Sequence, residues 1–187
     1  MEATLTRDAA TRGAATRGGA NPAEATGAKT DRAGKYLTFH LGTEEFGIRV
    51  MQVREIIGVQ DITSVPQTPE YVKGVINLRG KVTPVICLRT RFGMPATEYT
   101  SRTCIIVVQV KGEAGPILLG VLVDGVSEVA TLTASDIEDP PDFGSGEQVP
   151  YILGMAKTKG RVRILLDIDA ALSAQDLGGL EGLGNAL

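Results

Sequence analysis

Residues Gly74 to Arg89 read GVINLRGKVTPVICLR, with two glycines, a lysine and an apolar run. Those residue types can form a phosphate-binding loop. That loop needs Gly, four residues, then Gly-Lys-Ser/Thr between a strand and a helix, with the hydroxyl on magnesium. Here five residues separate Gly74 from Gly80, and Val82 follows Lys81, so spacing and hydroxyl both fail. The run that follows, VTPVICL, is strand-like rather than helical. Metal chemistry has as little to work with. Cys87 and Cys104 form no Cys-x-x-Cys pair, and His40 is the single histidine, so no zinc set can be assembled. Both cysteines read as small buried hydrophobes. Glu44 and Glu45 fall in a turn, where solvation is the ordinary state. The acids of SDIEDPPDFGSGEQVP lack the alternating oxygens of a calcium loop. No Gly-x-Ser-x-Gly elbow is present, and no Ser/His/Asp or Cys/His set can be built around one histidine. The residue types therefore predict no catalytic residue, no metal and no cofactor.

What the segment does offer is recognition. Gly80 and its counterpart Gly160 read as left-handed turn positions in hairpins. Arg79 then stands at a hairpin tip, and Glu55, in the strand RVMQVREI, can pair with it across adjacent strands. An exposed pair of this kind contributes about 0–1 kcal/mol, so its value would lie in shaping a binding face.

The elements that position these residues are strands. In YLTFHLGTEEFGIRV, Leu37, Phe39 and Leu41 alternate with Tyr36, Thr38 and His40, and Phe46, Ile48 and Val50 continue the pattern. This predicts a hairpin with one apolar face and His40 on the solvent side. TCIIVVQVKGEAGPILLGVLVDGV predicts two more strands around a Gly/Pro turn. Gly47, Ile48, Val50, Val53, Glu55 and Ile56 recur 73 positions later as Gly120, Val121, Val123, Val126, Glu128 and Val129. Tyr71, Gly74, Gly80, Val82 and Leu88 recur 80 positions later as Tyr151, Gly154, Gly160, Val162 and Ile168. Two ordered blocks imply a duplicated β unit of roughly 65 residues and hence two similar small barrels. Ser135 to Pro150 is the longer connection, read as an irregular loop. DIDAALSAQDL predicts a short C-terminal helix.

Residues 1–34 differ from the rest. Thr-Arg recurs at positions 6, 11 and 16, a period of neither helix nor strand, and bulky apolar residues are scarce. This segment reads as a disordered tail, and 173–187 as a glycine-broken one, leaving 35–172 as the folded domain. The net charge of −3 gives no basic excess for nucleic acid, and aromatic residues for base stacking are few. No apolar run approaches the roughly 20 residues of a membrane span. A soluble, intracellular protein with no membrane insertion is the expectation.

Four blocks carry a resemblance: FHLGTEEFGIRVMQVREI, TPEYVKGVINLRGKVTPVICLR, GVLVDGVSEV and GMAKTKGRVRILLDIDAAL. In order and spacing they closely resemble the chemotaxis coupling protein CheW family, over about Lys35 to Leu172. The resemblance implies a mainly β fold of two five-stranded SH3-like barrels around a common core. It implies a non-catalytic adaptor that links the cytoplasmic tip of chemoreceptors to the regulatory domain of the histidine kinase CheA. Its place would be cytoplasmic, at receptor arrays on the inner face of the membrane. It assigns importance in coupling to Arg79 and Glu55, links Val53 and Gly74 with partner binding, and makes Val50 a groove residue. One departure is visible: the family usually has Pro-Val-Val-Asp-Leu-Arg where this chain has PVICLR, so Cys87 replaces an aspartate that the second copy keeps as Asp167. Two alternatives are a small-barrel RNA-binding module and the CheW-like domain of a CheV-type protein. The acidic total weighs against the first, and no receiver pattern follows Leu172.

Overall fold

The computed structural model describes residues 32–112, 115–141, 149–158 and 160–172. Eleven strands and two four-residue helices follow one another among these residues. The described strands begin with β1 (Gly34–Leu41), β2 (Glu44–Arg49) and β3 (Val53–Gly58), then β4 (Val72–Leu78) and β5 (Lys81–Cys87), which leads into α1 (Leu88–Arg91). The second half repeats the plan with β6 (Cys104–Gly112), β7 (Gly115–Val123), β8 (Gly125–Leu132), β9 (Ile137–Glu138), β10 (Ile152–Thr158), β11 (Arg161–Leu166) and α2 (Ile168–Ala171).

The strands form a six-stranded sheet in the order β8-β1-β2-β11-β10-β9 and a five-stranded sheet in the order β3-β6-β7-β5-β4. The duplication is visible in the register. Leu165 pairs with Gly47 in the parallel β11–β2 contact, and Val85 pairs with Gly120 in the parallel β5–β7 contact. These are the same repeat positions. The repeat units are nevertheless not the sheets. Each copy lends its opening hairpin to the other, so β1–β2 joins β8–β11, and β6–β7 joins β3–β5.

Three cores follow. One lies between the sheets and draws Phe39, Phe46 and Ile48 from one and Ile106, Val108 and Val121 from the other. The other two lie inside the curl of each sheet: Tyr36, Ala130, Ile137 and Leu165 in the first, Ile76, Val85, Cys87 and Ile105 in the second. This corrects the expected one-faced β1. Tyr36 and Thr38 are as buried as Phe39, because an inner strand of a curled sheet meets a core on both faces. Residues 135–141, the described first part of the Ser135–Pro150 connection, carry more regular structure than expected. Ile137 is buried, and β9 pairs with β10 through Ile137–Ala156 and Glu138–Met155, which adds the sixth strand. A two-residue strand is too short to leave a periodic signal. The acids at 142 and 147 lie outside the described residues.

The expected tail at 1–34 lies outside the description up to residue 31. Arg32 is anchored: Nη1 donates to the Leu153 carbonyl at 2.7 Å, and Nη2 donates to Asp139 at 2.6 Å. Gly34 already belongs to β1. The C-terminal helix spans Ile168–Ala171, and residues 173–187 lie outside the described residues.

Candidate partner-binding site

The β4–β5 hairpin closes on the Leu78–Lys81 pair, leaving Arg79 and Gly80 as a two-residue turn. Both have positive φ, 53° and 85°, the turn whose twist matches the strands it joins. Gly80 meets that demand freely. Arg79 does not, since its Cβ crowds the neighbouring carbonyl in the left-handed region, at a cost of about 1–2 kcal/mol. Asn77 Oδ1 accepts from the Gly80 N–H at 2.7 Å and holds the turn. The guanidinium is thrown out from the tip, with 80% of the side chain exposed.

Arg79 Nη2 donates to Glu55 Oε2 at 2.8 Å, so the expected pair exists. The two strands are not adjacent, however. β3 and β4 are opposite edges of the five-stranded sheet, and the curl brings the tip of one edge to the face of the other. The pair therefore ties the two edges together. Beside it, Arg54 hydrogen-bonds Gln109 through Nε and Nη2. These four side chains, with Pro116 and Leu118 of β7, line a shallow cleft of about 410 Å³.

The other site residues fall elsewhere. A bulge between Val53 and Glu55 shifts the β3–β6 register, and this splits two neighbours that simple alternation would place on one face. Val53 packs with Val50 against the inter-sheet core, while Ile57 faces the inner core. Val50 lies in a 3-10 turn, Val50–Gln52, and the next residue, Met51, is 86% exposed. Gly74 is buried at a bulge in β4, where an added Cβ would stand 2.1 Å from the Thr63 carbonyl oxygen. Its absence of a side chain lets Thr63 and Val75 exchange two backbone hydrogen bonds of 2.9 Å. Glu55 and Arg79 are thus brought together. Val50 and Val53 form a separate apolar side, and Gly74 holds the β4 backbone in place. Residue reading missed Arg54, Gln109, Pro116 and Leu118, since only the sheet order makes them neighbours.

The six-stranded sheet carries a deeper version of the same construction. Glu45 was expected to be solvated, yet its side chain is 7% exposed, and Arg163 beside it is 5% exposed. Arg163 Nε lies 3.1 Å from Glu45 Oε2 without the alignment of a hydrogen bond. Its Nη2 donates to Glu128 at 2.7 Å, and its Nη1 to Thr158 at 3.1 Å. Burial works against the Arg163 charge, but the close carboxylates of Glu45 and Glu128 outweigh it and raise its pKa.

The Cys87 departure has a structural meaning. Asp167 caps α2, its Oδ1 accepting from the N–H groups of Asp169 and Ala170. Cys87 occupies the same position before α1 and makes no such bond. Its thiol is buried, as expected, whereas Cys104 is half-buried. His40, on the rim, is half-exposed and meets Ser127 through Nε2 at 2.7 Å.

Among the described residues no group of three His, Cys, Asp or Glu is placed to hold a metal. No helix among them is long and apolar enough to cross a membrane. Fold and site together define a class, a duplicated two-sheet β protein with an outward-facing ion pair over a shallow cleft. The comparisons give that class its family. Residues 35–176 match the model of the CheW-like domain. A chemotaxis protein CheW of Klebsiella aerogenes is 38% identical over 143 residues, 76% of this chain and 84% of the relative. The Bacillus subtilis CheW is 36% identical over 141 residues, 75% of this chain and 88% of that one. A crystal structure of the scaffolding protein TtCheW from Thermoanaerobacter tengcongensis superposes with a TM-score of 0.67 at 31% identity, covering 77% of this chain and 95% of that one. The chain belongs to the CheW family.

Proposed function

We propose that this protein is a non-catalytic chemotaxis adaptor that couples chemoreceptors to a CheA-type histidine kinase, with 35–172 as its working unit. It acts in the cytoplasm, at receptor arrays on the inner face of the membrane. The Glu55–Arg79 cleft is one contact surface. The apolar side around Val50 and Val53 is suited to an amphipathic helix such as a receptor tip. Gly74 serves both by fixing the β4 backbone.

The observation that carries the site is the energetics of Arg79. An ion pair with one member 80% exposed is worth about 0–1 kcal/mol, while the left-handed backbone costs about 1–2 kcal/mol. The net contribution to folding is near zero or negative, and glycine or asparagine would suit the turn better. Arginine at this tip is therefore explained by what it meets outside the chain.

Reversal of Arg79 to glutamate tests the reading, with kinase activation measured in receptor-containing membranes. Activation should fall while the unfolding free energy changes by no more than about 1 kcal/mol. Adding Glu55→Arg should restore part of the activity, as a double-mutant cycle requires of a true pair. Full activation by Arg79→Glu alone would refute the site. Loss without rescue would place Arg79 directly on a partner.

A further inference from the structure

We propose that the cleft on the six-stranded sheet, beside the β8 edge, is a second docking surface that takes an acidic segment of a partner protein. The cleft encloses about 960 Å³. Its plan is that of the Glu55–Arg79 cleft, carried over by the duplication. Glu55 recurs as Glu128, and Arg54 as Ser127. Gln109 and Leu118 face each other across β6–β7, and His40 and Glu45 face each other in the same register across β1–β2. The Arg54–Gln109 hydrogen bond recurs as Ser127–His40. In each copy a guanidinium reaches the repeated glutamate, from Arg79 in one and Arg163 in the other.

The chemistry has diverged. Glu45 stands where the first cleft has Leu118, and Thr43 where it has Pro116, so an apolar floor has become an ionic one. The carboxylates of this cleft are already engaged. Glu45 and Glu128 hold Arg163, and Asp124 accepts from the Gly42 N–H and from Arg89. Arg102 and Arg161, both exposed on the rim, have no carboxylate partner among the described residues. Their planar forks are matched by carboxylates, which accept two parallel N–H bonds. A basic occupant would face two uncompensated guanidinium groups, so charge complementarity selects an acidic one. This inference leans on the Glu55–Arg79 reading only through the shared plan of the two clefts.

The test uses the purified full chain alone, with a fluorescein-labelled hexaglutamate peptide followed by anisotropy. The peptide should bind, weaken as salt is raised, and give way to no signal with hexaglutamine. Arg102→Gln and Arg161→Gln should each weaken binding about tenfold, the size of one lost charge-assisted contact of about 1.4 kcal/mol. Arg79→Glu, in the other cleft, should leave it unchanged. Absence of hexaglutamate binding overturns the inference, as does binding of inorganic pyrophosphate without the peptide. So does binding that survives both glutamine variants, or that disappears with Arg79→Glu. Because kinase and receptor are absent, failure here leaves the activation experiment on Arg79 standing on its own.

Discussion

The buried Arg163–Glu45 contact makes a stability prediction that the duplication itself supplies. At the corresponding positions the five-stranded sheet has Thr83, 2% exposed, and Leu118. The chain thus contains both an ionic and a largely neutral solution to one packing problem. Arg163→Thr leaves the Glu45 carboxylate 7% exposed with no cation, a loss of about 3–5 kcal/mol for an uncompensated buried charge. Glu45→Leu is milder, because Arg163 keeps its hydrogen bonds to Glu128 and Thr158 and loses one of two ionic neighbours, a cost of about 1–3 kcal/mol. The double variant reproduces the Leu118–Thr83 arrangement and should fall within about 1–2 kcal/mol of the parent, since an apolar replacement of a buried pair is often neutral. At about 2–4 °C of Tm per kcal/mol for a chain of this size, Arg163→Thr should melt roughly 6–20 °C lower, with the double variant recovering most of the loss. Thermal and urea unfolding of the four proteins give the coupling directly. A double variant that loses the sum of the single losses would refute the argument, and Arg163→Thr within 1 °C of the parent would show that the pair is not buried in solution.

Two further outcomes concern single positions. Gly74→Ala should cost about 2 kcal/mol or more, because the new Cβ would meet the Thr63 carbonyl at 2.1 Å and break the bridge to Val75. Gly80→Ala, at a position with open space around it, should cost only its left-handed strain of about 1 kcal/mol, so equal losses by urea unfolding would refute the distinction. Cys87, 7% exposed within the inner core, should react with a thiol reagent far more slowly in the native protein than in the unfolded one, and equal rates would place it at the surface.

Much of the architecture was legible because it rests on local signals. Valine and isoleucine runs mark β6 and β7, and the paired glycines mark Gly80 and Gly160 as turn residues, both with positive φ. The 73- and 80-residue repeats give the duplicated register. Glu55 and Arg79 were legible as a pair from opposite charge and a hairpin tip. Their relation in space was not, because it depends on sheet order, which brings strands from opposite edges together. A bulge between Val53 and Glu55 turns them to different sides of β3, and no residue pattern announces it. Glu45 was misjudged for a related reason. A carboxylate beside a turn is ordinarily solvated, and only Arg163, some hundred residues away, makes its burial tolerable. The first cleft contributes Arg54 and Gln109 through a cross-strand bond no single-strand pattern reveals.

The exchange of opening hairpins has a mechanical consequence for any partner surface on this protein. Had each repeat closed on itself, two small domains could move against each other, as weakly coupled units do. Here β1 is bonded into the sheet of β8, and β6 into the sheet of β3, so each sheet is incomplete without strands from the other copy. The inter-sheet core is built from both, and the stacked rings of Phe39, Phe46, Phe92 and Tyr151 run through it at centroid spacings of 5.9, 5.9 and 5.1 Å. Separating the two clefts would require breaking strand ladders, so they hold a fixed relative position. Rigidity of that kind suits an adaptor, because a partner on one of the proposed surfaces would position whatever bound the other without losing the geometry to an internal hinge.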